Sequence, residues 1–155
     1  MKAAVLRELA QPMQIEDISI AKPKGREVLV RLAAVGVCHS DLHVLTGDSP
    51  HPLPAILGHE AAGVVEQVGP EVHHVKPGDH VIVCLTFHCG HCEHCLGGHT
   101  HRCYTPEAQR APEEPPRLYR GSERFEPFMR MGAFAEQILV HDSGVVPIRR
   151  DMPFD

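Results

Sequence analysis

Four of the chain's six cysteines, Cys89, Cys92, Cys95 and Cys103, fall within the run CGHCEHCLGGHTHRC. A C-x2-C-x2-C-x7-C spacing can bring four thiolates to one point, which suits a tetrahedral site for a single soft divalent ion, zinc before others. Four thiolates leave no open position for water, so such a site is structural. The loop that carries them has almost no apolar residues, so metal binding would supply its folding energy. An iron–sulfur cluster is the competing chemistry. The bacterial pattern C-x2-C-x2-C-x3-C-P differs here in its last spacing, and Tyr104 stands where the proline would be. His88, His91, His94, His99 and His101 are woven through this run. They read as solvated loop residues, because thiolate holds zinc more tightly than imidazole where both can reach.

A second set of candidate ligands lies upstream. Cys38 opens the run CHSDLH, and His59-Glu60 follows in GHE. One thiolate and one imidazole with a carboxylate alongside suit a catalytic metal site, which keeps three protein ligands and one open position. Asp41 is placed to hold the far ring nitrogen of a ligating imidazole. Ser40 offers a hydroxyl beside the ligand, and His43 lies one helical turn on, so the two can carry a proton from a buried alcohol to solvent. Taken singly, these residues have plainer readings: Cys38 as a small buried hydrophobe, His59 as a packing residue beside glycine. Cys84, at the end of HVIVC, reads as a core residue.

The elements that would position these groups are mostly strands. Lys2–Arg7, Met13–Ile18, Glu27–Val37, Ala61–Val68, His80–Leu85, Ala133–Val140 and Val145–Ile148 are short apolar or alternating runs separated by Pro- and Gly-containing turns. Gly63 inside one of them marks a bulge or a close backbone approach. Ser40–Thr46 reads as one or two helical turns, with Ser40 near the N-cap and Gly47 as the stop. The stretch from Tyr104 to Arg130 is rich in proline and charge and reads as a surface loop, from which Phe125, Phe128 and Met129 can tuck back against a pocket. Strands at this spacing predict a sandwich or barrel. No dinucleotide fingerprint or phosphate-binding loop occurs, so a nucleotide-binding βαβ unit is missing from this chain.

Length and composition narrow the class further. At 155 residues the chain reads as one domain, and 43% hydrophobic residues suffice for a core. A net charge of −5 without a basic stripe argues against nucleic acid. There is no long apolar run for a membrane and no apolar secretory segment at the start. The tight cysteine spacing then favours metal over disulfides, and the expectation is a soluble, cytoplasmic protein.

CHSDLH, GHEAAGVVEQVG, VKPGDHVIV and CGHCEHC stand in the order and spacing of one family. The chain resembles the zinc-dependent alcohol dehydrogenases of the medium-chain dehydrogenase/reductase family, over nearly its whole length. The resemblance implies a mainly β, GroES-like, partly open barrel over residues 1–155. It also implies a structural zinc lobe at 88–104, an irregular loop at 105–130, and a Rossmann cofactor domain that is absent from this chain. It makes Cys38 and His59 ligands of a catalytic zinc, Glu60 the acidic neighbour that approaches the metal during ligand exchange, and Asp41 the carboxylate behind the imidazole. Ser40 and His43 become the proton relay, His39 a contact to the cofactor pyrophosphate, and Leu85 a wall of the substrate pocket. Cys89, Cys92, Cys95 and Cys103 match the structural zinc ligands. The family's third catalytic ligand has no counterpart here.

The function expected from the resemblance is NAD(P)-linked oxidation of alcohols to aldehydes or ketones, with zinc as Lewis acid. The chain alone is expected to be inactive or nearly so. An apolar face should be covered by the missing Rossmann half or by self-association. The alternative is a free-standing, non-enzymatic zinc-binding module of the same fold.

Overall fold

The computed structural model describes residues 1–104, 109–111 and 113–154. Twelve short strands and two helices follow in chain order: β1 (Lys2–Leu6), β2 (Gln14–Asp17), β3 (Ser19–Ile20), β4 (Glu27–Gly36), α1 (His39–Thr46), β5 (Ala55–Ile56), β6 (Glu60–Val68), β7 (His80–Val83), α2 (Glu93–Leu96), β8 (Leu118–Arg120), β9 (Glu123–Arg124), β10 (Glu126–Pro127), β11 (Gln137–His141) and β12 (Val145–Pro147). The main sheet runs β11-β4-β6-β7-β12, a second runs β10-β5-β1-β2, and a small third runs β3-β8-β9. They form the curled, partly open barrel that the motif order implied.

β4 and β6 are the long apolar runs, and their antiparallel pairing forms the centre of the main sheet. Val28, Val30, Val65, Val81, Ile138 and Val140 from this sheet are all essentially inaccessible and share one core. The pairing contains a register shift between Leu32 and Ala34, and Gly63 lies opposite Leu32. A Cβ at Gly63 would stand 2.1 Å from the Arg31 carbonyl oxygen. The glycine therefore answers to both expected devices, an irregularity and a close backbone approach.

The register sets where the chemistry emerges. β4 ends at Gly36, opposite Glu60 at the start of β6. On the other side of β6, Ala61 faces Val83 at the end of β7. One end of the main sheet thus releases Cys38, receives His59-Glu60 and sends the chain on toward the cysteine lobe.

Two expectations are corrected here. Cys84 is exposed rather than buried. Along β7, Val81 and Val83 point inward while Ile82 is 45% exposed, and the two-residue period carries Cys84 outward with Ile82. The stretch after Tyr104 is also not a plain loop, although residues 105–108 and 112 lie outside the described part. β8 pairs with β3, and β10 runs parallel to β5. Phe125 and Phe128 are buried, so the tuck expected of them is present. Phe125 lies under the guanidinium groups of Arg7 and Arg120, at 5.7 and 5.8 Å from the ring centroid. Glu27, 5% exposed, fastens the same segment. It accepts hydrogen bonds from Arg110 Nε at 2.9 Å and Nη2 at 2.6 Å, and from Arg117 Nε at 2.8 Å.

Candidate metal centres

Two groups of metal-capable side chains converge among the described residues: Cys89, Cys92, Cys95 and Cys103, and Cys38, His59 and Glu60. In each, one ligand atom per residue lies within 4.8 Å of the others.

The four-cysteine lobe hangs beyond β7. It begins on an anchor, the buried Phe87, which packs so closely on Gly144 that a Cβ there would stand 2.4 Å from the Phe87 ring. The next amide, His88 N–H, donates to Ser143 Oγ at 3.0 Å. Cys92 caps α2, and Cys103 ends a short 3-10 turn over Thr100–Arg102. Sulfur–sulfur separations are 3.4 Å for Cys92–Cys95, 3.9 Å for Cys89–Cys95 and 4.0 Å for Cys92–Cys103. A tetrahedral ion with Zn–S bonds of about 2.3 Å needs sulfurs about 3.8 Å apart, so the donor set fits zinc. The amides of Cys92, Cys89 and His91 donate to Cys89 Sγ, Cys103 Sγ and Cys89 Sγ at 3.3, 3.4 and 3.5 Å. Without a cation, desolvation and then the neighbouring thiols push the Cys95 thiol up to about 12, with the Gly90 amide opposing them. A divalent cation reverses that logic and deprotonates its ligands. Of the histidines in this run, His91, His99 and His101 are exposed and His88 and His94 half-buried.

The second centre is built on the strand ends and on α1. Cys38 is the N-cap of α1 in extended backbone, and Gly47 closes the helix in the left-handed region at φ 89°. The cap is two residues earlier than expected at Ser40, because Asp41 Oδ2 accepts from the Cys38 amide at 3.1 Å. The other oxygen, Oδ1, accepts from the Gly58 amide at 2.8 Å and lies 3.3 Å from His59 Nδ1. Asp41 and His59 are 3% and 5% exposed. The carboxylate so placed occupies Nδ1 and leaves Nε2 as the ligating nitrogen, the arrangement metal-bound imidazoles use. On the far side, the Phe128 ring meets His59 edge-on at 5.5 Å and His51 at 5.4 Å. Ser40 Oγ lies 3.7 Å from Cys38 Sγ. His43 is half exposed, 3.7 Å from Asp48 and with its ring 4.7 Å from that of His39. Leu85 is 42% exposed. A soft sulfur, an imidazole oriented from behind and a carboxylate fit a zinc ion, so the expected residues come together.

The alcohol dehydrogenase GroES-like domain model matches residues 24–150. This chain belongs to that family. The GroES-like domain is 40% identical to an S-(hydroxymethyl)glutathione dehydrogenase of Candida maltosa, over 99% of this chain and 42% of that protein. It is also 40% identical to an alcohol dehydrogenase class-3 of Drosophila melanogaster, with the same coverage. Among solved structures, an alcohol dehydrogenase zinc-binding domain protein from Burkholderia ambifaria superposes with a TM-score of 0.87 at 38% identity, covering 99% of this chain and 43% of the other. Benzyl alcohol dehydrogenase from Acinetobacter calcoaceticus gives 0.86 at 32% identity, covering 99% and 42%. The GroES-like domain thus spans about two-fifths of the length of the curated relatives it matches. No helix among the described residues is long and apolar enough to cross a membrane.

Sequence reasoning missed one group at the second centre. The Gly58 amide was hidden because a backbone donor leaves no signature in residue type.

Proposed function

We propose that this chain is the metal-holding half of an NAD(P)-linked, zinc-dependent alcohol dehydrogenase that oxidises alcohols to aldehydes or ketones. The observation that carries this reading is the convergence of Cys38, His59 and Glu60, with Asp41 bonded behind the imidazole. Zinc bound there would supply Lewis-acid polarisation of an alcohol oxygen and lower its pKa. Cys38 and His59 would hold the ion, and the Glu60 carboxylate stands within ligating reach. The Ser40 hydroxyl, beside the Cys38 sulfur, accepts a hydrogen bond from the substrate alcohol and takes its proton as it releases its own toward His43. His43, open to solvent one turn on, passes it out. His39 would lie near the cofactor's pyrophosphate. The four-cysteine lobe holds a second, structural zinc.

The hydride acceptor belongs to a nicotinamide cofactor bound by a Rossmann half outside this chain. Val37 (82%), Ile82 (45%), Leu85 (42%) and Val146 (45%) are exposed, and Ile82 lies opposite Val146 in the β7–β12 pair. These apolar groups suit burial against that half or a second copy. Positioning of donor and acceptor supplies roughly 7–11 kcal/mol of barrier lowering, so the chain alone is inactive or nearly so. The test is to assay alcohol oxidation with NAD(P) for the chain alone and with a family Rossmann half in trans. NAD(P)H absorbance should grow only in the pair and vanish with Cys38→Ala. Turnover by the isolated chain, or a pair indifferent to Cys38→Ala, overturns the proposal.

A further inference from the structure

We infer that Gly36 is a positioning residue for Glu60: the missing side chain at Gly36 is what lets the Glu60 carboxylate fold inward beside Cys38 and His59. The inference rests on the reading of those three residues as metal ligands. Gly36 and Glu60 face each other on the terminal rung of the β4–β6 pair, and directly opposed residues of an antiparallel pair project from the same face. A Cβ placed on Gly36 would stand 2.2 Å from Glu60 Oε2, 3.1 Å from its Cβ and 3.3 Å from its Cδ. Non-bonded carbon atoms rest about 3.5–4.0 Å apart, so the carboxylate occupies the volume that any side chain at Gly36 would fill.

The usual reason for a glycine does not apply. Gly36 is not among the glycines with positive φ, so alanine would enter its backbone without strain. Its surroundings also differ from those of Gly63. A methyl at Gly63 would meet the carbonyl oxygen of Arg31, whereas the three nearest atoms that a methyl at Gly36 would meet all belong to the Glu60 side chain. Glu60 is exposed, so a displaced carboxylate has water to turn into. A methyl at Gly36 would therefore displace the carboxylate, which can swing away, while the Glu60 Cβ at 3.1 Å needs to give by only a few tenths of an ångström. Cys38 follows only two residues later, so one short stretch both supplies the thiolate and shapes the space for the carboxylate.

The test compares the parent chain with Gly36→Ala, Glu60→Ala, the double variant and Cys38→Ser. With the four-cysteine site filled, zinc is titrated into the second site against a chromophoric chelator, and Co²⁺ reports ligation by its visible spectrum. Gly36→Ala and Glu60→Ala should each weaken second-site zinc by about tenfold or more, as loss of a group tuning a metal site does. The double variant should be no weaker than Glu60→Ala alone. Metal-free Gly36→Ala should stay folded and melt close to the parent. Parent-like zinc affinity in Gly36→Ala, or losses that multiply in the double variant, overturns the inference. An unfolded Gly36→Ala that Glu60→Ala does not rescue overturns it too. If Cys38→Ser leaves second-site affinity unchanged, the metal reading itself falls and the inference with it. A site that needs Cys38 but ignores Gly36→Ala removes the inference alone.

Discussion

Asp41 Oδ1 stands 3.3 Å from His59 Nδ1, with both side chains shielded from solvent. Because the same carboxylate also accepts from the amides of Cys38 and Gly58, it fixes three parts of the second centre at once. Asp41→Asn keeps an acceptor but loses the charge behind the ring. It should weaken second-site zinc by about 10–100-fold and leave the lobe's zinc untouched. Elemental analysis after graded chelation measures both, and equal retention of two zincs by the variant would refute the assignment.

The lobe should answer differently. Cys92→Ser removes one of four thiolates from a loop with few apolar contacts of its own, so metal loss becomes local unfolding. Hydrogen exchange should show lost protection from Cys89 to Cys103, stopping at His88, where Phe87 and the Ser143 bond hold the chain. Cys38→Ser should leave protection in β4 and β6 as it was. A lobe equally protected in Cys92→Ser and the parent would show that packing, not metal, holds it.

Glu27 is the fastening point of the segment after the lobe. Its burial raises the carboxyl pKa, but the Arg110 and Arg117 guanidiniums outweigh this, and the group titrates below its ordinary value. The stabilisation is therefore complete above the ordinary carboxylate range and is lost as pH falls through the lower, folded-state value. Glu27→Ala leaves two largely buried guanidiniums without their anion, a change that costs about 3–5 kcal/mol. Urea unfolding at neutral pH should show that loss, and the gap between variant and parent should close in acid. An unchanged gap at low pH would contradict this account.

His141 supplies a milder pH dependence. Burial holds its imidazole below the ordinary value of 6.5; Asp142 opposes the shift and Arg26 adds to it. His141 Nδ1 accepts from the Ser143 amide at 3.2 Å and lies 2.8 Å from Ser143 Oγ and 3.3 Å from Asp142 Oδ1. The unfolded chain takes up this proton first, so stability is full above the ordinary imidazole pKa and declines as pH drops from there toward the folded value. Melting temperatures between neutral pH and about one unit below the ordinary imidazole pKa should fall less steeply in His141→Gln than in the parent. Parallel slopes would remove His141 from the account.

The two convergent groups of metal-capable side chains and the long strands were legible in the sequence because their signals are local. C-x2-C spacing, the HSDLH turn and the apolar runs of β4 and β6 each lie within a few residues of themselves. What stayed hidden depended on partners far away in sequence. β8 and β10 pair with the two-residue strands β3 and β5, too short to show a period. Cys84 could have been placed outside by extending the alternation of Val81 and Val83. The cap at Cys38 rather than Ser40 follows from Asp41 reaching back to the cap amide, which residue type alone leaves open.

The alignment of strand ends gives the main sheet a working rim and a plain one. At the working rim, Gly36, Glu60 and Val83 lie on neighbouring rungs. The Cys38 sulfur and the imidazole–carboxylate pair are therefore brought together by sheet registry. A slip of a single rung would carry Cys38 about 3.3 Å along the strand and turn its neighbours to the opposite face. If the second centre takes up a metal as proposed, that capture would double as a registration mark for the barrel. A chain that has misaligned β4 against β6 would then be unable to hold the ion, whatever secondary structure it has formed.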